Sequence, residues 1–404
     1  MTRAAVSHFH IRRSMNATVT AIELFPLRIP RDEPYLGPLE EANRPNEKGY
    51  IVRPGNRTVY PVFDQTLLVR AVASDGTVGW GECFGVVAPQ IAQTVLEELL
   101  IPFVIGRSPH DVERIYEDLY DLQRVRGHFG GYALDAIAGL DMALWDLRGK
   151  LLNQPVWQLL GGLRHERLPV YVSGLPGGTK EERAALGKRW IDRGFSALKF
   201  AAVVADEGEA AEIEAIRREV GPAPKILADL HWRFTALEAA QLIEKLCEFD
   251  LYLAEAPVAP EDLAGQAQVA RSVKTRIGLG EEWRTVHEYL PRLQARCMDV
   301  IQPEMAHTGI TGFRRICELG QAFHCQVMPH ATINIGIAQA ASLHVAATLA
   351  NFDMHEYQHS IFDRNKQYIR STMDCRDGYF SLPEGTGLGA EPTEEVLSFV
   401  IDGD

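Results

Sequence analysis

Asp229, Glu255 and Glu281 each close a short apolar run (KILADLHW, LYLAEAPV and RIGLGEEW) and stand 26 residues apart. Equal intervals of this length, each filled by one amphipathic helix pattern, are what successive strand–helix units produce. They set the three carboxylates side by side at the C-terminal ends of neighbouring strands. Carboxylates crowded in this way repel one another unless a cation neutralises them, and an all-oxygen donor set suits a hard divalent ion. The three are therefore read as ligands of Mg²⁺.

The other strand ends carry the rest of the chemistry. Lys199, in ALKFA, is placed to neutralise a substrate carboxylate, or to act as a base if neighbours lower its pKa. His231 lies two residues after Asp229, the same side of a continuing strand, and could protonate a departing hydroxide; a fourth metal ligand or a satisfied polar residue are the alternatives. Glu282 would face the other way on a continuing strand and is left out. Glu304, in QPE, and His330, in MPH, can pair across adjacent strands as an oriented general base. His307 falls in a turn beyond its strand and ranks below His330. Glu356 could stabilise developing negative charge if protonated.

From Leu168 onward, strand and helix patterns alternate strictly. Strands are expected near 170–174, 197–201, 225–230, 251–256, 276–281, 299–304, 325–330 and 352–357, with seven clear helical patterns between them. The expected fold class is α/β, a (β/α)₈-type barrel of the TIM kind whose last unit is incomplete. Ahead of it, residues 18–163 read as an α+β capping domain. It has a strand at 19–29, a hairpin turning at Asp75-Gly76, and helical patterns at 91–104, 111–122 and 132–152. Residues 164–360 form the barrel domain, and 361–404 are expected to return to the cap. The long connection from Pro30 to Tyr60 carries Tyr35, Arg44, Tyr50, Arg53, Asn56 and Arg57, donors and aromatics suited to a polar anionic ligand. His128 and Trp283 complete the expected substrate-binding set.

A net charge of −13 argues against nucleic acid or an anionic membrane as partner. No apolar run approaches the ~18 residues of a membrane span. Six cysteines without C-x-x-C or zinc spacing are expected to be reduced thiols of a cytoplasmic protein. The basic first 15 residues lack the apolar core of a secretory signal, and a disordered tail over 1–17 is expected.

With the ordered Lys, Asp, Glu, Glu, acid and His on successive strands, AGLDMALWDL with LLGG before the barrel, and GTVGWGE at the hairpin, the chain resembles the enolase superfamily, in its mandelate racemase and muconate lactonizing branch. The Asp-x-His segment and the acid–His pair are similar to those of galactonate dehydratase-like acid-sugar dehydratases. That resemblance implies Mg²⁺ on Asp229, Glu255 and Glu281, C2 proton abstraction by His330 oriented by Glu304, and protonation of the C3 hydroxyl by His231. The product would be a 2-keto-3-deoxy acid formed from a galactonate- or lyxonate-like aldonate. It also implies a homo-oligomer, from dimer to octamer. An epimerase, racemase or lactone cycloisomerase is the alternative. Three departures stand out: Lys199-Phe200-Ala201 replaces a Lys-x-Lys, Glu304 stands where Asp is usual, and the turn after it is one residue shorter.

Overall fold

The computed structural model describes residues 16–35, 37, 39, 44–53 and 57–401. Of the tail expected over 1–17, residues 1–15 lie outside them, as does Asn56, whereas Ala17 is buried in the core.

In the cap, β1 (Val19–Ile29), β4 (Asp64–Ala73) and β5 (Val78–Cys83) form an antiparallel sheet in the order β1-β4-β5, and the β4–β5 turn passes through Gly76 at φ 89°. Within the long connection before β4, Tyr50–Val52 (β2) and Val59–Pro61 (β3) pair as a small hairpin. The first helical pattern is not a uniform α-helix. It runs as α over Gln90–Val95, as a wider π turn over Leu96–Leu100, and as 3₁₀ over Ile101–Phe103, where Pro102 cannot supply an N–H. Helices Val112–Arg124 and Tyr132–Leu152 follow, and most residues of the second are buried.

The barrel strands are β6 (Arg167–Ser173), β7 (Ala197–Ala201), β8 (Lys225–Asp229), β9 (Leu251–Glu255), β10 (Arg276–Leu279), β11 (Val300–Ile301), β12 (Gln326–Val327) and β13 (His355–Gln358). They pair in parallel from β6 to β12, β13 pairs with β6, and a bridge from Val327 to Phe352 closes the ring. The sixth and seventh strands are shorter than the sequence suggests because Pro303 and Pro329 have no N–H to give the ladder, which resumes as a single bridge between Glu304 and His330. The helix that directly follows β13, His359–Asn365, is seven residues long.

Strand parity positions the site. Tyr171, Ala197, Leu227, Leu253, Val300, Met328 and Met354 fill one layer inside the barrel. Two residues further along the same strands stand Ser173, Lys199, Asp229, Glu255, Gln302, His330 and Glu356, all facing the same interior one layer higher. On β10 the inward position is Gly278, where a methyl group would meet Gln302 Oε1 at 2.2 Å.

Buried carboxylates join cap to barrel. Glu82 accepts N–H groups of Ile335, Ile337 and Ala338 at the start of the helix Ile337–Ala346. Asp141 accepts both the N–H and the hydroxyl of Thr311, just past the point where Gly309 (φ 65°) breaks the helix Met305–Ala322. Each thereby satisfies helix-terminal donors that would otherwise be stranded. The C-terminal segment touches both domains. Tyr379–Ser381 pairs with β6 of the barrel, whereas Val400 bridges Leu27 and Leu388 N–H donates to Asp146 in the cap. All six cysteines are free, and among the described residues no helix is long and apolar enough to cross a membrane.

His344 ties this tail to the barrel as a neutral ring. Its Nδ1 accepts the Trp157 N–H at 3.2 Å and its Nε2 donates to the Leu388 carbonyl at 3.1 Å. Burial pushes its pKa down to about 4. Because the folded value lies below the unfolded one, this stabilisation is complete above about pH 6.5 and is lost as pH falls toward 4. Between pH 7 and pH 5, wild type should lose about 2 kcal/mol more stability than His344→Gln, as read by denaturant unfolding at the two pH values.

Candidate metal and acid–base site

Carboxylate oxygens of Asp229, Glu255 and Glu281 lie within 4.8 Å of one another at the barrel's C-terminal end. Glu281 arrives there by a different route from the other two. Its strand ends at Leu279, and from inward-facing Gly278 the simple alternation would bring Glu282 inside. Gly280, at φ 126°, reverses the chain and exchanges the two. Sequence parity alone could not have found that turn.

Lys199 sits behind this cluster, 4% exposed, with its Nζ 2.7 Å from Glu255 Oε1 and 2.9 Å from Glu356 Oε1. Burial by itself would lower its pKa, but Glu255 and Glu356 hold it well above the ordinary value. The condition for Lys199 to act as a base is therefore not met; it is a fixed positive charge. Glu356 corrects its expectation in the same way. Burial favours the neutral acid, yet Lys199 and His330 hold its pKa down, and it accepts the Ala331 N–H at 2.8 Å. It is a carboxylate, not a protonated donor.

His330 and Glu304 do come together, with Nδ1 2.8 Å from Glu304 Oε2. The longer Glu side chain is held by the Ala306 N–H, which donates to its other oxygen at 2.8 Å. His330 Nε2 then faces the acids, 3.5 Å from Glu281 and 3.8 Å from Glu356. Against desolvation, Glu281 and Glu356 raise the His330 pKa well above its usual value. On the other side of the cluster, His231 Nδ1 lies 3.1 Å from Asp229 Oδ1. It does not reach there as a strand residue: β8 stops at Asp229, and His231 adopts φ 49° in a turn.

Gln302 was passed over in the sequence, although it lies two residues before Glu304 on the inward face. Its Nε2 donates to Glu255 Oε2 at 2.7 Å, so both oxygens of Glu255 are held, one by an ammonium and one by an amide.

The expected substrate-binding residues are dispersed. Tyr35 is joined to the site, since its hydroxyl accepts from Gln358 Nε2 at 2.9 Å and that amide also donates to Glu356. Arg53 is spent on its own loop, where Nη2 donates to the Tyr35 carbonyl at 2.6 Å. Tyr50 donates to Gln65 and accepts the Ala88 N–H, while Arg44 and Arg57 are exposed. His128 lines a groove of about 460 Å³ whose other walls, including Leu99, Tyr120 and Tyr132, all belong to the cap. Trp283 is corrected outright: it is 3% exposed, packed edge-on to Tyr289 and covered by the Arg292 guanidinium, a core residue. His307 is buried against Asp135 at 2.6 Å and stacked on Phe84, apart from the dyad.

Residues 182–396 match the family described as enolase C-terminal domain-like, and residues 47–161 match the mandelate racemase / muconate lactonizing enzyme N-terminal domain. The chain belongs to the enolase superfamily. Among relatives of this superfamily member, a D-galactarolactone cycloisomerase of Agrobacterium fabrum is 28% identical, covering 82% of this chain and 90% of the relative. A D-gluconate dehydratase of Thermoproteus tenax is 30% identical over 82% of this chain and 69% of its own length. A solved Sinorhizobium meliloti structure, provisionally described as an isomerase, is 50% identical with a TM-score of 0.94, covering 95% of this chain and 99% of that one. An enolase-superfamily structure from Agrobacterium tumefaciens is 47% identical with a TM-score of 0.93 over 96% and 100% of the two chains.

The donor set of this enolase-superfamily chain fits a divalent cation. Desolvation raises the pKa of Asp229, to about 6, and that of Glu281, so the buried carboxylates lack enough positive charge of their own. Titration with Mg²⁺ after chelation should therefore raise the melting temperature by several degrees, about 2.7 kcal/mol at a hundredfold excess over Kd. Glu281→Gln should reduce that gain, as followed by calorimetry.

Proposed function

We propose that this protein is a Mg²⁺-dependent acid-sugar dehydratase that removes the proton α to a carboxylate and eliminates the β-hydroxyl. The observation carrying this reading is that two histidines flank one carboxylate cluster, His330 beside Glu281 and His231 beside Asp229. Asp229, Glu255 and Glu281 would hold the cation. When bound, the cation supplies the positive charge that stabilises an enediolate.

The remaining work falls to side chains. Glu304 accepts the Nδ1–H of His330, which leaves Nε2 as the atom that would take the C2 proton once a cation held by Glu281 offsets the carboxylate charge that raises the ring's pKa. Lys199 supplies a fixed charge next to the forming enediolate. Burial pushes the His231 pKa down to about 4, so it would pass to the leaving C3 hydroxyl, a poor leaving group as hydroxide, a proton taken up from solvent as negative charge develops there. The enol so formed tautomerises to a 2-keto-3-deoxy acid. Ala201, where a second lysine would be needed for a two-base racemase, offers no base.

The cycloisomerase relative favours a second reading, in which the same enediolate is reprotonated or attacks within the molecule instead of eliminating. Product analysis separates the two. With Mg²⁺ and a panel of aldonates, a semicarbazide-reactive keto acid supports dehydration. Solvent deuterium at C2 of recovered acid without any keto acid overturns it. His330→Asn should lower kcat by about 10²–10⁴ with the fold retained, and Glu304→Gln should fall between the two.

A further inference from the structure

The chain after β10 offers the cation site two adjacent carboxylates, Glu281 and Glu282. Gly278 faces the barrel interior, so continued alternation through 280 to 282 would deliver Glu282 and turn Glu281 away. The observed turn delivers Glu281, whose carboxylate joins Asp229 and Glu255. Two identical side chains cannot account for that choice themselves. Where Glu282 lies, both of its carboxylate oxygens are buried without a hydrogen-bond partner among the described residues. A carboxylate left so is costly, and an exchange that carried it to the cation would relieve the cost. A contact elsewhere must therefore hold the turn in its observed frame.

The hinge of the exchange is Gly280, at φ 126°, and its carbonyl accepts two donors. One, the Trp283 N–H at 3.1 Å, is the internal bond of the turn and exists only once the turn has formed. The other is the Tyr289 hydroxyl, at 2.7 Å. Tyr289 is fully buried in the following helix, Val286–Ala295, and its ring packs edge-on to Trp283 at 5.0 Å. The start of that helix is fixed separately by Glu288, whose carboxylate accepts the N–H groups of Arg284 and Thr285 at 3.0 Å each. The hydroxyl thus has a place that does not depend on the conformation of Gly280. It lies against the bare face of the glycine, where a methyl group would meet the Tyr289 oxygen at 2.3 Å and two ring carbons at 2.7 Å. Further along, Arg284 donates to the Glu282 carbonyl at 2.9 Å and to Asp135 of the cap at 2.8 Å, which holds the exit of the turn. Among the described residues, Tyr289 is the side chain that donates to the hinge carbonyl itself.

We propose that Tyr289 is a positioning residue whose hydroxyl pins the Gly280 carbonyl and so selects Glu281, and not Glu282, as the third ligand of the cation. Tyr289 itself lies outside the ligand cluster. The inference rests on the cation reading of that cluster and is independent of which reaction the enediolate then undergoes. Without the hydroxyl the two frames differ less in energy, and Glu282 can enter when the carboxylate of Glu281 is lost.

The test is Mg²⁺ binding to the intact protein after chelation, followed by titration calorimetry and so independent of turnover. With the hydroxyl in place, Glu281→Gln should weaken binding roughly tenfold or more, and Glu282→Gln by less than about twofold. Tyr289→Phe removes only the hydroxyl, a hydrogen bond whose loss is a factor of about five. Added to Glu281→Gln, it should tighten Mg²⁺ binding about fivefold relative to Glu281→Gln alone, because Glu282 then swings in. That recovery should disappear when Glu282→Gln is added as a third change. A tyrosine that only packs the loop gives no recovery. A double variant that binds no more tightly than Glu281→Gln therefore overturns the inference, as does a recovery that survives Glu282→Gln. Should Tyr289→Phe not fold, Tyr289→Met lacks the same hydroxyl and decides the question in its place. A wild type that binds no Mg²⁺ overturns the cation reading and the inference with it. That outcome is distinguishable because it appears before any substitution is made.

Discussion

The buried charge around Lys199 is the constraint from which the site follows. One ammonium, almost fully removed from water, lies between Glu255 and Glu356. Asp229 and Glu281 are gathered into the same space, and Glu304 is committed to His330. Burying ions is costly unless each is paired, and here acids outnumber the lysine. Pairing within the chain is therefore incomplete by design, and the shortfall is located where three oxygens converge. Glu255 has both of its oxygens engaged, one by Lys199 and one by Gln302.

The barrel makes this concentration tolerable because its interior is layered. The Leu227, Leu253 and Met354 layer closes the bottom, so the charged layer above it borders dry side chains below and the cap above. The cap is attached through the same chemistry in a milder form. Glu82 and Asp141 are buried acids whose partners are backbone N–H groups at helix starts rather than cations. Such bonds orient one domain on another without adding net charge at the joint beyond the carboxylate itself. Tyr35, from the long connection before β4, is linked to Glu356 through the Gln358 amide.

Much of this was legible in the chain. The eight strands, the acid spacing and the Glu304–His330 pair rest on period, turn chemistry and strand-end placement, which are local properties of sequence. The residues read less well are those after the strands end. His231 and Glu281 both lie in turns whose left-handed or reversed backbone cancels simple alternation, so His231 reached the cluster for a reason other than parity. Trp283 shows the opposite failure. Aromatic and polar side chains near a site in sequence carry no information about which side of the backbone they leave.

By itself, the sequence determined the architecture and the set of ionisable groups that must share the barrel's end. Hydrophobic period dictates strands and helices, and equal spacing dictates neighbouring strand ends. Only the tertiary structure decided the protonation and use of those groups. Lys199 became a held charge and Glu356 an anion because each is the other's neighbour in space, 157 residues apart in the chain. A pKa is set by burial and nearby charge, and both are properties of the fold and not of the residue.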